Sequence, residues 1–246
     1  MDAKTCAILA ELNRAFYAEF ATDFARTRRS WPPGFHRILP HLRPAANVLD
    51  LGCGNGRLLT FLAGHGWHGT YVGVDASPAL LAVAEEAAGA LSGIVARFVL
   101  ADLLDPAWPA ALGGLAPDVI LALAVLHHIP GATNRARFVA DCAGLLGPGG
   151  LLILTTWQFM TSPRLRSRIL PWETVGLSAD QLEPGDYLVS WGEGRAGRRY
   201  CAFIEPEALN GLAARAGLET VDTFFADGYE GNLNFYGVYA RRVTAR

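Results

Sequence analysis

The 246-residue sequence predicts an α/β fold on a doubly wound, mostly parallel sheet of seven strands with an antiparallel C-terminal edge hairpin. Three observations carry the prediction. Apolar runs of strand length alternate with amphipathic runs of helix length over residues 47–156, joined by short connections, which calls for a parallel sheet covered on both faces. The first unit, Val48 to Gly56, reads as a buried strand that breaks at an acid and three alternating glycines, with a helix beginning near Arg57. The last two apolar runs have only a short glycine-containing turn between them, so they pair with each other at the sheet edge.

The elements follow in order. Ile8, Leu9, Leu12, Ala15, Phe16, Phe20 and Phe24 recur at three- and four-residue spacing and predict a helix up to about Ala25. Pro32 and Pro33 keep the basic and aromatic segment Thr27 to Pro33 out of a helix. His36 to Leu42 reads as a short helix. Strands are expected at Asn47–Leu51, Thr70–Val74, Arg97–Ala101, Val119–Val125 and Leu151–Thr156, with helices at Arg57–His65, after the Ser77-Pro78 start, and at Asn134–Leu146. The regularity breaks after Trp157. Residues 158–203 are long for a connection and rich in arginine and tryptophan, with Tyr187–Trp191 and Arg199–Ile204 able to pair across a glycine-rich turn. A helix at Pro206–Ala216 and strands at Thr220–Ala226 and Asn234–Arg241 end the chain. The organisation expected is one domain over 1–246, with an N-terminal helical lid at 1–43 and a substrate-side insertion at 158–203.

Composition bounds the function. Net charge is −2, which gives no global attraction to nucleic acid or anionic membrane. The four cysteines are widely separated with no C-x-x-C pair, which argues against structural zinc and a disulfide framework. No membrane span or signal peptide is read, and a cytoplasmic protein is expected.

A glycine turn of this kind takes a nucleotide-like ligand. A nicotinamide site would place a glycine where Arg57 stands. The pattern Asp50-x-Gly52-x-Gly54-x-Gly56 instead resembles the first motif of the Rossmann-like (class I) S-adenosylmethionine (SAM) methyltransferases. Asp75, Asp102-Leu103 and Pro148-Gly149-Gly150 follow in the order of that class. The resemblance implies SAM as cofactor. Asp75 would take the ribose hydroxyls, Asp102 the adenine amino group, Gly52 and Gly54 the methionine part, and Asp50 its ammonium group. Asn55, Gly56, Ala76, Leu103 and Ala124 complete the expected cofactor set.

A closer resemblance spans residues 13 to 242. Phe24 to Pro32 is similar to the S-x-T-R-x-x-x-W-P opening of the tRNA wobble-uridine methyltransferases, with one residue fewer before Trp31. Ala124 to Ile129, with its His127-His128 pair, Arg199 to Phe203, and Gly231-Asn232 also resemble that family, Leu233 standing in place of a tryptophan. It implies esterification of a carboxymethyl group on tRNA, and a small zinc-binding activator protein as a conceivable partner. Three functions follow: methylation of a tRNA acceptor, methylation of a small metabolite, or a non-catalytic SAM-binding scaffold. A carboxylate acceptor is already ionised at neutral pH and asks for an arginine to orient it. Arg28 is the first candidate and Arg199 the second, and either could instead hold the SAM carboxylate or make a structural ion pair. A hydroxyl or amine acceptor asks for a base, for which His127 is placed, with His128 directed elsewhere. Tyr17, Trp31, Trp157 and Tyr200 could wall the pocket or belong to the core.

Overall fold

The computed structural model describes residues 1–26, 30–192 and 197–242. Arg28 lies outside the described residues. Seven strands form one sheet, built from β1 (Val48–Leu51), β2 (Thr70–Asp75), β3 (Val95–Leu100), β4 (Val119–Ala122), β5 (Leu151–Trp157), β9 (Leu218–Ala226) and β10 (Asn234–Arg241), in the order β3-β2-β1-β4-β5-β10-β9. The first five pair in parallel. β10 runs antiparallel to both β5 and β9, from Trp157 opposite Asn234 to Leu151 opposite Ala240. The order reverses between β1 and β4, both of which end beside the glycine turn. In open α/β sheets that crevice is where ligands bind.

Strand alternation sorts the core into two layers. Leu49 and Leu51 of β1, Ile120 and Ala122 of β4, and Leu152 and Leu154 of β5 face a layer completed by α5 (Ala132–Leu145) and α6 (Pro206–Arg215), which contribute Phe138, Val139, Cys142, Leu209 and Leu212. The intervening residues Val48, Tyr71, Val119, Leu121 and Ile153 face a second layer completed by α2 (Pro33–Ile38) and α3 (Arg57–Gly64) through Phe35, Ile38, Leu58 and Phe61. α4 (Pro78–Gly89) starts as the sequence predicts, with Ser77 Oγ accepting from the Leu80 amide.

Two departures bear on the site. β4 stops at Ala122, three residues before the expected end. Ala124 takes a left-handed φ of 61°, its amide donating to Thr155 Oγ1 at 2.7 Å, and the chain then turns through a short 3₁₀ segment, Leu126–His128. Residues 158–203 carry a second sheet, β6-β7-β8, of β6 (Ile169–Leu170), β7 (Asp186–Trp191) and β8 (Gly197–Ala202). The hairpin of β7 and β8 was expected; the two-residue β6 was not.

The helix α1 (Ala3–Arg26) packs along β8 of this second sheet. Asn13 Nδ2 donates to the His128 carbonyl and Asn13 Oδ1 accepts from the Tyr200 amide, 187 residues on. Asp227 (φ 69°) ties the next segment to the closing hairpin. Its carboxylate accepts from the Gly34 amide, Asn234 Nδ2 and the Tyr236 hydroxyl.

Candidate active site

The glycine turn is fixed by its neighbours. Gly52 has φ +69°, and a Cβ there would come within 2.5 Å of Val125 Cγ2, so side chains other than hydrogen are excluded both by conformation and by space. Gly54 is the opposite case: φ is +56° and a Cβ would meet nothing within 4 Å, so its backbone faces open room. Asp75, at the end of β2, braces the turn. Its Oδ2 accepts from the Gly54 amide at 2.9 Å and its Oδ1 from the Ser77 amide at 2.9 Å. Each oxygen keeps a further lone pair for a ligand. Burial raises the pKa of this carboxyl, and the Ser77, Gly54 and Ala76 amides pull it back down.

Asp50 lies deeper, 3% exposed, where Tyr71 donates a 2.5 Å hydrogen bond to its Oδ2. Burial pushes its pKa up to about 7; the Tyr71 hydroxyl opposes the rise and the Asp75 charge adds to it. Cys53, between the glycines, is buried and its thiol is pushed far up by desolvation and the two acids, so it is inert near neutral pH.

Beyond the turn, a groove of about 480 Å³ runs along the ends of β2 and β3, lined by Arg14, Ala76, Pro78, Ala101, Asp102 and Trp108. Asp102 Oδ1 accepts from the Leu104 amide at 2.9 Å, and its Oδ2 accepts from Arg14 Nη1 at 3.1 Å. Arg14 is a residue that sequence reasoning passed over, because nothing in the spacing of α1 shows that it faces a loop 88 residues away.

On the far side of Ala124 a second cluster forms. His127 is buried and its ring lies 6.1 Å from that of Trp157 and 4.4 Å from that of His128. His128, expected to point elsewhere than His127, turns to α1 and β8. Its Nδ1 lies 3.1 Å from the Tyr200 carbonyl, which can only accept, so the neutral ring carries its proton there and Nε2 accepts from the Tyr17 hydroxyl at 3.1 Å. Arg199 is 6% exposed, its guanidinium 5.0 Å from the Trp157 ring centre and 5.3 Å from that of Phe16. Phe16 and Phe20 of α1 close over this cluster against Trp191 of β7.

Of the four candidate wall aromatics, Tyr17 and Trp157 stand in the cluster. Tyr200 is core: its hydroxyl donates to Asp186 and accepts from Arg135, which also pairs with Glu183. Trp31 packs outside, against Phe61 and under Arg57 of α3.

The two clusters share the C-terminal edge of the parallel sheet on either side of Ala124, which is the layout of a Rossmann-like enzyme with one subsite for a nucleotide cofactor and another for its reaction partner. The residues fit SAM: the open backbone at Gly54, the groove beside Asp102, and two carboxylates suited to a cofactor bearing positive charge. Residues 24–223 match the methyltransferase-domain family, and the chain belongs to it. It is similar to the ubiquinone biosynthesis O-methyltransferase of Thiobacillus denitrificans, with 30% identity over 82% of this chain and 83% of the relative. It also resembles the tRNA (carboxymethyluridine(34)-5-O)-methyltransferase of Arabidopsis thaliana, at 26% identity over 57% of this chain and only 31% of the relative. Among solved structures, the 1,6-didemethyltoxoflavin-N1-methyltransferase of Burkholderia thailandensis, with its acceptor and S-adenosylhomocysteine bound, superposes with a TM-score of 0.65. That match has 17% identity and covers 99% of this chain and 92% of the other, which shows the shared fold. The protein is thus a SAM-dependent methyltransferase. Among the described residues no helix is long and apolar enough to cross a membrane.

Proposed function

We propose that the enzyme methylates an oxygen of a small acceptor that presents a carboxylate, bound between α1, the 126–128 turn, Trp157 and β8. The observation that carries this reading is Arg199, a guanidinium buried against the faces of Phe16 and Trp157. A guanidinium held against aromatic faces is a charged, planar group suited to orient a planar carboxylate. The carboxylate is ionised at neutral pH, so no residue need remove a proton. The acceptor side is roofed by Phe16, Phe20 and Trp191, which exclude water and favour a compact acceptor.

In this reading Asp75 and Ala76 hold the ribose, and Asp102 and Leu103 the adenine. Gly52, Gly54, Asn55, Gly56 and Ala124 hold the methionine part, with Asp50 near its ammonium group. Bound SAM supplies a methyl group on a good leaving group, and the protein's part is alignment. Residues 1–43 serve as a helical lid and 158–203 as a substrate-side insertion of one domain.

A tRNA acceptor is the second reading. Arg164, Arg166 and Arg198 of the insertion are exposed, while Glu183 and Asp186 turn inward to Arg135, so the outer surface is more basic than the sequence tally suggests. The test is methyl-labelled SAM incubated with the enzyme and three acceptor pools: small carboxylic acids, small phenols and alcohols, and bulk tRNA. Base-labile label in the carboxylic acids is expected. Label confined to tRNA would overturn the small-acceptor reading in favour of the second.

A further inference from the structure

Arg14 joins the two halves of the site. It lies on α1 beside Asn13, which holds the His128 carbonyl and the Tyr200 amide, and three residues before Tyr17, which holds the His128 ring. Yet Arg14 itself points the other way, into the groove at the ends of β2 and β3. Its Nη1 donates to Asp102 at 3.1 Å, and Glu11 on the preceding turn of α1 holds the same guanidinium through Nε and Nη2, each at 2.9 Å. The Arg14 and Asp102 side chains are each close to half exposed, so the pair is not locked by burial and can adjust around a ligand. Asp102 is held independently by the Leu104 amide and keeps acceptor capacity on both oxygens. A base entering the groove can therefore bond Asp102 while the guanidinium stays on the carboxylate.

We propose that Arg14 is a positioning residue of the cofactor site, closing the adenine end of the groove from α1, so that filling this groove tightens the helix that also walls the acceptor side. The inference rests on the reading that Asp102 faces the adenine. A planar guanidinium anchored at its edge by Glu11 and Asp102 offers its face to a flat base. The same helix carries Phe16 and Tyr17, so order gained at Arg14 reaches the acceptor wall through one rigid element.

The test uses S-adenosylhomocysteine as the probe, with calorimetric titration of the wild type, Arg14→Gln and Asp102→Asn. Hydrogen exchange of peptides covering residues 3–20 is followed with and without the probe. Arg14 is on the surface, so its removal leaves the core intact. Arg14→Gln is expected to weaken binding roughly three- to tenfold, and to lose most of the protection that the probe confers on residues 3–20. Wild-type affinity and wild-type protection in Arg14→Gln would overturn the proposal. If Asp102→Asn binds weakly while Arg14→Gln matches the wild type in both measurements, the groove assignment stands and this inference falls. If both variants match the wild type, the groove assignment falls with it.

Discussion

The proposed cofactor side and the proposed acceptor side of this enzyme are assembled in different ways. On the cofactor side, backbone does the work. Gly52 and Gly54 adopt left-handed angles, and the Asp75 carboxylate reaches amides at Gly54 and Ser77, 21 and 2 residues away. On the acceptor side, side chains from remote stretches converge: Tyr17 meets His128 across 111 residues and Arg199 stacks on Phe16 and Trp157. A site built of local backbone geometry admits few alternatives, because each amide must stay where the turn puts it. A site built of converging side chains can be rebuilt one residue at a time, which suits the proposed role of this cluster in choosing the acceptor.

Three experiments press on that division. The largest effect is expected at Asp75→Ala, which removes both the brace of the glycine turn and the proposed ribose acceptor. Affinity for S-adenosylhomocysteine should fall about a hundredfold or more by calorimetry. A loss under threefold would break the assignment of that side to the cofactor. Next is Arg199→Gln, expected to raise the acceptor KM about tenfold while affinity for S-adenosylhomocysteine stays unchanged. An equal loss on both would show that the two sides are not separable.

The smallest effect, and the sharpest, concerns Asp50. Its pKa in the folded protein, about 7, lies above the unfolded value near 4. The protonated carboxyl therefore favours the fold: that contribution is full below about pH 4 and lost as pH rises through about 7. The melting temperature of the free enzyme should fall between pH 5 and pH 8 by more than that of Asp50→Asn. A cofactor ammonium group beside Asp50 favours its ionised form, so binding near pH 7 should release a fraction of a proton, measurable by titration in buffers of different ionisation enthalpy. Asp50→Asn should abolish that release; its persistence would move the proton to another group.

The same division explains what was legible in the sequence. Strand and helix positions, the glycine turn and the acids at the ends of β2 and β3 all express short-range rules, and they stand where the sequence puts them to within a few residues. β4 was overextended because Leu123, Ala124 and Val125 are apolar, and apolarity does not reveal the left-handed Ala124 that turns the chain toward His127. The partner of Asp102, the inward turn of Glu183 and Asp186 to Arg135, and the placement of His128 against Tyr17 depend on how α1 and the second sheet dock. No periodicity within either segment encodes that docking.

The docking of the first forty residues has a consequence for how the chain is made. Asn13 pairs with the Tyr200 amide, and the Gly34 amide with Asp227. Every one of these partners lies in the last third of the chain. On a ribosome that releases residues in order, α1 and α2 emerge well before these partners. α1 also meets Asp102 and His128, so its contacts are completed in steps, those to the second sheet last. The helix that docks on the second sheet thus completes its contacts only once β8 has been made.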